Sequence, residues 1–400
     1  MKHDMKTIMI IGAGKGQVPL IEAAKRENYH TIVCDIDSES PGVTIADEYR
    51  QISTKDRNAL YEVARDKHID GIIANSEYAM CDVAYIANRL HLIGNFEEAI
   101  SILSSKSKFR EMQHNTGLFT PRFVNYNYKQ QKEEISFPII IKPDMSSGSR
   151  GTTVVRDIKD IDTLQRSIKE CSKISRNGKV IIEDYIKPAS GLTVEGEVFV
   201  HNGEIIWDGL FSTKRSDIAP MIPMTYVFPC VENERRIAVI KEALERAFLA
   251  AGVIHGEYNI EALFTEDGKP FIIEINPRQG GNYLPRYVQE HCGIDLYRLL
   301  VTTAVGDDEY WNKLKRTGKK YIIHHVLYPE KSGCFRGVQI DESVEKYVYR
   351  VQIDAQSGDD IEKTTDGSRS IGHVDLRFTD STEQIRVCNQ IEELIRIDTD

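Results

Sequence analysis

The chain has 400 residues, 41% of them hydrophobic and 28% charged, enough for two or three soluble domains with separate cores. A net charge of -10 argues against duplex nucleic acid as the main partner. Seven dispersed cysteines without a Cys-x-x-Cys pair exclude a zinc site of that kind and suit a reducing compartment. No run is long enough for a transmembrane helix, and residues 8–11 are too short for the apolar part of a signal peptide, so a cytoplasmic protein without a membrane partner is expected.

Residues 6–36 read as strand, Gly-rich turn (Gly12-Ala13-Gly14-Lys15-Gly16-Gln17), helix and strand. Such a βαβ unit places a close backbone turn at a helix N-terminus, where an anion can sit. Asp35 stands where a ribose-binding acid would, but Gln17 replaces the third glycine of G-x-G-x-x-G, so the nicotinamide fingerprint is incomplete. Helices over 59–67 and 80–89 and strands over 71–74 and 92–94 complete a doubly wound parallel sheet for residues 1–95. A helical connector (96–120) follows, carrying Lys106 on a charged face and closed by Pro121.

Residues 138–143 form a buried strand ending in Lys142. The loop 144–151, with Ser146, Ser147, Gly148 and Gly151, leads to a second strand, 152–155. Backbone N–H groups of such a loop can close over phosphate oxygens while Lys142 supplies a point charge; the alternative is a mobile hairpin tip. It is not a Walker loop, since no G-K-[ST] opens a helix. A helix (161–170), a strand (180–186) and a hairpin about Asn202-Gly203 come next. Lys214 and Arg215 offer cations for a substrate carboxylate or are plain surface charges. A Pro-rich loop (Pro220, Pro223, Pro229) precedes a helix over 232–250.

The most informative stretch is 255–278, two strands joined at Asp267-Gly268. A two-residue turn there sets Glu266 against Lys269 and, counting back, Glu261 against Glu274, with Asn276 on the same face. Ile260, Ala262, Phe264, Phe271, Ile273 and Ile275 then form the core face. Opposed like charges are destabilising unless neutralised, and a hard divalent cation on two carboxylates and an amide oxygen would neutralise them. The alternative is a solvated face whose acids stay apart. Residues 278–282 form a loop before a helix (283–291), and from about 306 the pattern turns to short strands (321–326, 346–353, 370–377) and a last helix, 382–395.

Together these motifs resemble the ATP-grasp superfamily of carboxylate–amine ligases, from residue 6 to the C-terminus. The resemblance implies an α/β and α+β multidomain fold: a Rossmann-like pre-ATP-grasp domain (1–95), a helical linker (96–120), a small grasp lobe (121–186), a large grasp lobe with the metal site (187–305) and a small strand-rich closing domain (306–400). It implies that Lys106 and Lys142 reach the nucleotide phosphates and that 146–151 is the lid. Glu183, Asp184, Tyr185 and Ile186 match the hinge that meets adenine, chiefly through backbone groups. Glu261, Glu274 and Asn276 match the ligands of Mg2+ (or Mn2+), and Arg278 matches the arginine that steadies the transferred phosphate. His255 and Glu257 before the metal strand, and Gly280 and Gly281 after it, look like those of dipeptide-forming amino-acid ligases. Gly191 stands where many members carry a ribose-binding acid, which leaves that contact unassigned.

The expected activity is transfer of the ATP γ-phosphoryl group to a small carboxylate, then attack by an amine, with ADP and phosphate released. The alternative is a phosphotransferase that stops at a phosphorylated product. The expected partners are a small acid and a small amine, in a homodimer.

Overall fold

The computed structural model describes residues 5–126, 137–157, 159–189, 191–215, 221–316, 318 and 320–400. Near the N-terminus the run Thr7–Ile11 is buried on both faces, as a central parallel strand requires. Four parallel strands stand in the order Glu48–Gln51, His30–Asp35, Thr7–Ile11, Gly71–Ala74. Glu48–Gln51 was not expected, because its half-exposed, charged sequence has no apolar alternation. Residues 92–94 form no strand; they lie in the turn after the helix Met80–Arg89. The carboxyl ends of the parallel strands carry the Gly12 turn and the segment 75–78, the edge at which open α/β sheets bind ligands.

The connector is two helices, Glu97–Ser104 and Lys106–Asn115, broken at Ser105. The small lobe is an antiparallel sheet in the order Phe123–Tyr126, Val180–Asp184, Ile139–Pro143, Thr153–Val155. Ile168 and Cys171 of the helix Ile161–Ile174 cover one of its faces.

An eight-stranded antiparallel sheet dominates the rest, in the order Pro270–Asn276, Gly256–Phe264, Leu192–His201, Glu204–Arg215, Pro223–Phe228, Tyr321–Val326, Gly372–Phe378, Val348–Ile353. Ile240, Leu244 and Phe248 of the helix Glu234–Ala251 pack on Val198, Val200 and Ile260. Tyr287, Val288 and Leu299 of the helices Leu284–Cys292 and Leu296–Ala304 pack on Phe199, Trp207 and Phe228. Alternate residues of the strand Leu192–His201 thus enter two cores, as its period of two dictates. The expected Pro-rich loop is in part a strand: Pro223 takes the first position of Pro223–Phe228, where proline is tolerated, and Pro220 lies outside the described residues. The helix Leu296–Ala304 was not foreseen either. Three C-terminal strands, Tyr321–Val326, Gly372–Phe378 and Val348–Ile353, continue the large sheet, while Gly333–Ile340, Asp360–Ile361 and Ile395–Thr399 form a separate three-stranded sheet.

The same unforeseen helix joins the large sheet to the N-terminal one, through Val301 and Ala304 against Ile8, Ile10 and Leu20. Gly71 permits the approach, since a β-carbon there would stand 2.5 Å from the Ala304 carbonyl oxygen. Gly71→Ala is therefore expected to lower stability by about 1–3 kcal/mol, read as a shifted urea midpoint; an unchanged midpoint would show that the contact gives way freely.

Candidate active site

Glu261 lies directly opposite Glu274, as expected, but by a different route. Thr265 and Lys269 close a longer loop than the two-residue turn, with Thr265 N donating to Lys269 O at 3.0 Å. That pairs Leu263 with Phe271 and would leave the register one residue out at the acids. A bulge at Ile273 restores it. In consequence Ile272 enters the core, whereas Phe271 and Ile273 line the cavity, contrary to the expectation for both. The bulge has partners of its own: Arg110 Nη2 donates to Ile273 O and Gln113 Nε2 to Ile272 O, both at 2.9 Å.

A third acid completes the row. Glu195, on the neighbouring strand, pairs with Glu261 across the ladder and is 2% exposed. Arg215 Nη2 stands 2.6 Å from Glu261 Oε2 and 3.4 Å from Glu195 Oε1. Asn276 Nδ2 donates to Glu274 Oε1 at 3.0 Å, and Lys106 Nζ lies 3.7 Å from Glu274 Oε2. Burial and then Glu261 push the Glu195 carboxyl well up. Burial raises Glu261, Arg215 pulls it back, and Glu274 raises it further. Burial also acts on Glu274, but Lys106 and the Asn276 amide outweigh it and hold the carboxyl down. Three carboxyls share one small space with too little positive charge for all to ionise. Their oxygens, with the Asn276 amide oxygen, are the donor set a hard divalent cation takes.

Lys106 and Lys142 line a cavity of about 540 Å³ together with Glu261 and Glu274. Lys142 is locked by Glu183, its Nζ 2.7 Å from Oε2, and Arg110 Nε lies 2.7 Å from the other oxygen. Burial raises Glu183, yet Arg110 and Lys142 outweigh it and bring the carboxyl down to about 2. Lys106 is aimed by Asp144. This buried acid accepts from Ser107 N at 2.7 Å and Asn177 Nδ2 at 2.6 Å, and its carbonyl accepts from Lys106 N at 3.0 Å. Lys106 Nζ in turn donates to Ser146 O at 3.1 Å, which joins it to the expected lid. Arg150 ties the lid to Ser147 and donates to the Tyr78 hydroxyl of the N-terminal domain at 3.0 Å.

Of the residues expected to meet nucleotide, Lys106, Lys142, Ser146, Gly148, Glu183, Asp184, Tyr185 and Ile186 line this cavity with Glu261, Glu274 and Arg215. Ser147 and Gly151 belong to the same loop without lining it. Arg278 lies just beyond the carboxylates, 3.9 Å from Glu77 Oε2, and Glu77 also pairs with Arg176 at 3.1 Å. Lys214 points to Glu392 at 3.0 Å, away from the cavity. His255 lines a narrow neighbouring cavity and packs on His201; burial and that neighbour bring it down to about 4. Glu257 is buried beside Glu197 and accepts from Gln279 Nε2 at 2.7 Å. Gly280 N donates to both Glu197 oxygens, at 3.0 and 3.1 Å, so its N–H has a protein partner, while a β-carbon at Gly281 would meet open space. Glu195, Arg110, Asp144 and Glu77 went unread: each acts through another strand or helix, and only Glu195, in the alternation of residues 193–199, left a trace in the sequence.

An ATP-grasp domain family matches residues 135–285. The uncharacterized protein y4rH of Sinorhizobium fredii is 24% identical over 77% of this chain; the chain spans 64% of that relative's length. The L-amino acid ligase from Bacillus licheniformis superposes with a TM-score of 0.79 at 20% identity, covering 99% of each chain. N5-carboxyaminoimidazole synthetase from Staphylococcus aureus, complexed with ADP, gives 0.72 at 18% identity over 96% of each. Residues 135–285 thus match an ATP-grasp domain, and the fold of these solved structures runs along almost the whole length of the chain. No helix among the described residues is long and apolar enough to cross a membrane.

Arg110→Leu should cost about 3–5 kcal/mol, because it strips Glu183 and Ile273 O of a buried partner. Glu183 itself stabilises the fold fully above its ordinary value of 4.5, and that contribution is lost as pH falls toward about 2. Urea midpoints at about pH 5 and about pH 3 check both statements: the wild type should lose stability on acidification, and the variant less. Equal losses would contradict the pairing.

Proposed function

We propose that the chain is an ATP-dependent carboxylate–amine ligase. The observation that carries this reading is one cavity lined both by Lys106 and Lys142 and by the Glu261–Glu274 pair. ATP would place its adenine at the segment 183–186 and its phosphates between the lysines and the acids, beneath the loop 146–151. Glu261, Glu274 and Asn276, with Glu195 beside them, would hold Mg2+, or Mn2+ in its place, which supplies positive charge to the phosphate oxygens. Lys106 and Lys142 add charge that is already oriented, by Ser146 and Glu183, so little reorganisation accompanies phosphoryl transfer. The loop excludes water, and in-line placement lowers the entropy barrier.

The γ-phosphoryl group passes to a small carboxylate, ADP leaves, and an amine displaces phosphate from the acyl carbon. Arg278, with a planar fork of donors, would steady the transferred phosphate. The likeness to an L-amino acid ligase supports an amino acid or related acid as substrate. A homodimer remains our expectation on symmetry grounds.

ADP release should require Mg2+ and both a carboxylic acid and an amine, scanned as paired panels, with product masses showing an amide. Glu274→Gln should lower that release about 100-fold or more, and EDTA should abolish it in the wild type. Wild-type turnover by Glu274→Gln would overturn the metal assignment; a phosphorylated acid or alcohol accumulating without amide would favour a phosphotransferase.

A further inference from the structure

A third cavity, of about 300 Å³, opens where the N-terminal sheet, the loop after Arg278 and the C-terminal strands meet. Lys15 and Asn75 come from the N-terminal sheet, Gly280 and Gly281 from the loop after Arg278, and His324 and His373 from the C-terminal strands. His324 and Asp375 face each other across the ladder, with Nδ1 2.7 Å from Oδ1. Asp375 also accepts from the Tyr287 hydroxyl at 2.9 Å and from Arg350 Nη1 at 2.9 Å. Burial raises its carboxyl, but His324 outweighs burial and keeps it below its ordinary value. An ionised carboxylate beside Nδ1 puts the imidazole proton on Nδ1 and leaves a lone pair on Nε2. Tyr287 stacks on the ring at 4.1 Å and fixes its plane.

His324 is 1% exposed, and its Nε2 has no hydrogen-bond partner. Buried polar atoms are nearly always paired, so an acceptor left open on a cavity wall points to a ligand. His324, His373 and Asp375 could together approach a metal ion. However, the Asp375 oxygens already hold Tyr287, His324 and Arg350, and a cation would have to share the site with that guanidinium. A donor ligand fits better. The cavity also adjoins the reaction centre. It shares the loop after Arg278, and Tyr226 stacks on His324 at 5.6 Å while its hydroxyl is pushed well up by burial and then by Glu195.

We infer that this cavity receives the amine substrate and that His324 Nε2 takes its proton, Asp375 holding the ring in the competent tautomer. The inference rests on the ligase reading. An amine arrives as an ammonium ion, without the lone pair it needs. It gives one proton to His324; burial holds the imidazole below its ordinary value, and the ionised Asp375 beside Nδ1 offsets part of that cost. The freed nitrogen bonds to the acyl carbon as the carbon–oxygen bond to phosphate breaks. The second N–H proton leaves with the phosphate, and His324 returns its own to solvent. Tyr226, Tyr287, Arg286, Arg350, His373 and Asp375 are the titratable and charged groups packed about the ring.

Hydroxylamine provides the test, because it is unprotonated at neutral pH and attacks an acyl phosphate without help from a base. The full chain with MgATP and the acid panel is assayed for hydroxamate with hydroxylamine, and for amide with ammonium chloride or the common amino acids. His324→Gln should keep hydroxamate formation, which also reports its folding, and lose amide formation about 100-fold. That loss should shrink as pH rises and the free amine appears unaided. Equal hydroxamate and amide losses in both His324→Gln and His324→Asn, or no selective loss in either, would overturn the inference and leave the ligase reading standing. A wild type that makes hydroxamate but no amide with any of these amines would overturn the inference and favour the phosphotransferase instead. A wild type that makes neither product would overturn both.

Discussion

The architecture turns on acids forced together across one ladder. Glu195, Glu261 and Glu274 occupy the same face of three adjacent strands. Each is kept there by packing behind it, with Ile260 and Ile275 in the core beneath. Placing like charges opposite one another costs stability, so the surroundings must supply the balance. Arg215 offsets Glu261, and Lys106 with the Asn276 amide offsets Glu274. The raised Glu195 and Glu261 carboxyls show that this balance is incomplete. That deficit is what the proposed divalent cation, and through it a triphosphate, would offset.

The second requirement is that the lysines be aimed before substrate arrives. A buried lattice does this: Arg110 and Lys142 meet on Glu183, and Asp144 gathers Ser105, Ser107 and Asn177 under Lys106. Arg110 also holds the bulge at Ile273, so one guanidinium links the strand Val180–Asp184, Lys142 and the register of the acids. The N-terminal domain takes part as well. Its segment 75–78 reaches Arg150 through Tyr78, and Arg176 and Arg278 through Glu77. A parallel sheet that lost its nucleotide fingerprint at Gln17 still delivers side chains from the carboxyl ends of its strands.

Much of this could be read in the sequence where the signal is local. Apolar runs marked the central strands, Lys142 stood at the end of one, and the alternation around Glu261 and Glu274 put both on one face. The pairing of these acids came out right although the turn was mistaken, because a longer loop and a bulge compensate for each other. That compensation could not have been foreseen, since the bulge answers to Arg110 and Gln113 from a distant helix. Arg110 itself looks in sequence like any charge on a linker helix, yet it is fully buried. That Tyr321–Val326, Gly372–Phe378 and Val348–Ile353 join the large sheet was not legible, because strand periodicity says nothing about which sheet a strand will join.

The central claim is best tested by crystals of the chain grown with ADP and Mn2+, with the metal located by its anomalous scattering. The account predicts a peak between the Glu261 and Glu274 carboxylates, in contact with the diphosphate, with Arg215 no longer alone in balancing Glu261. Bound ADP with no metal between those acids, or with the metal held elsewhere, would contradict it.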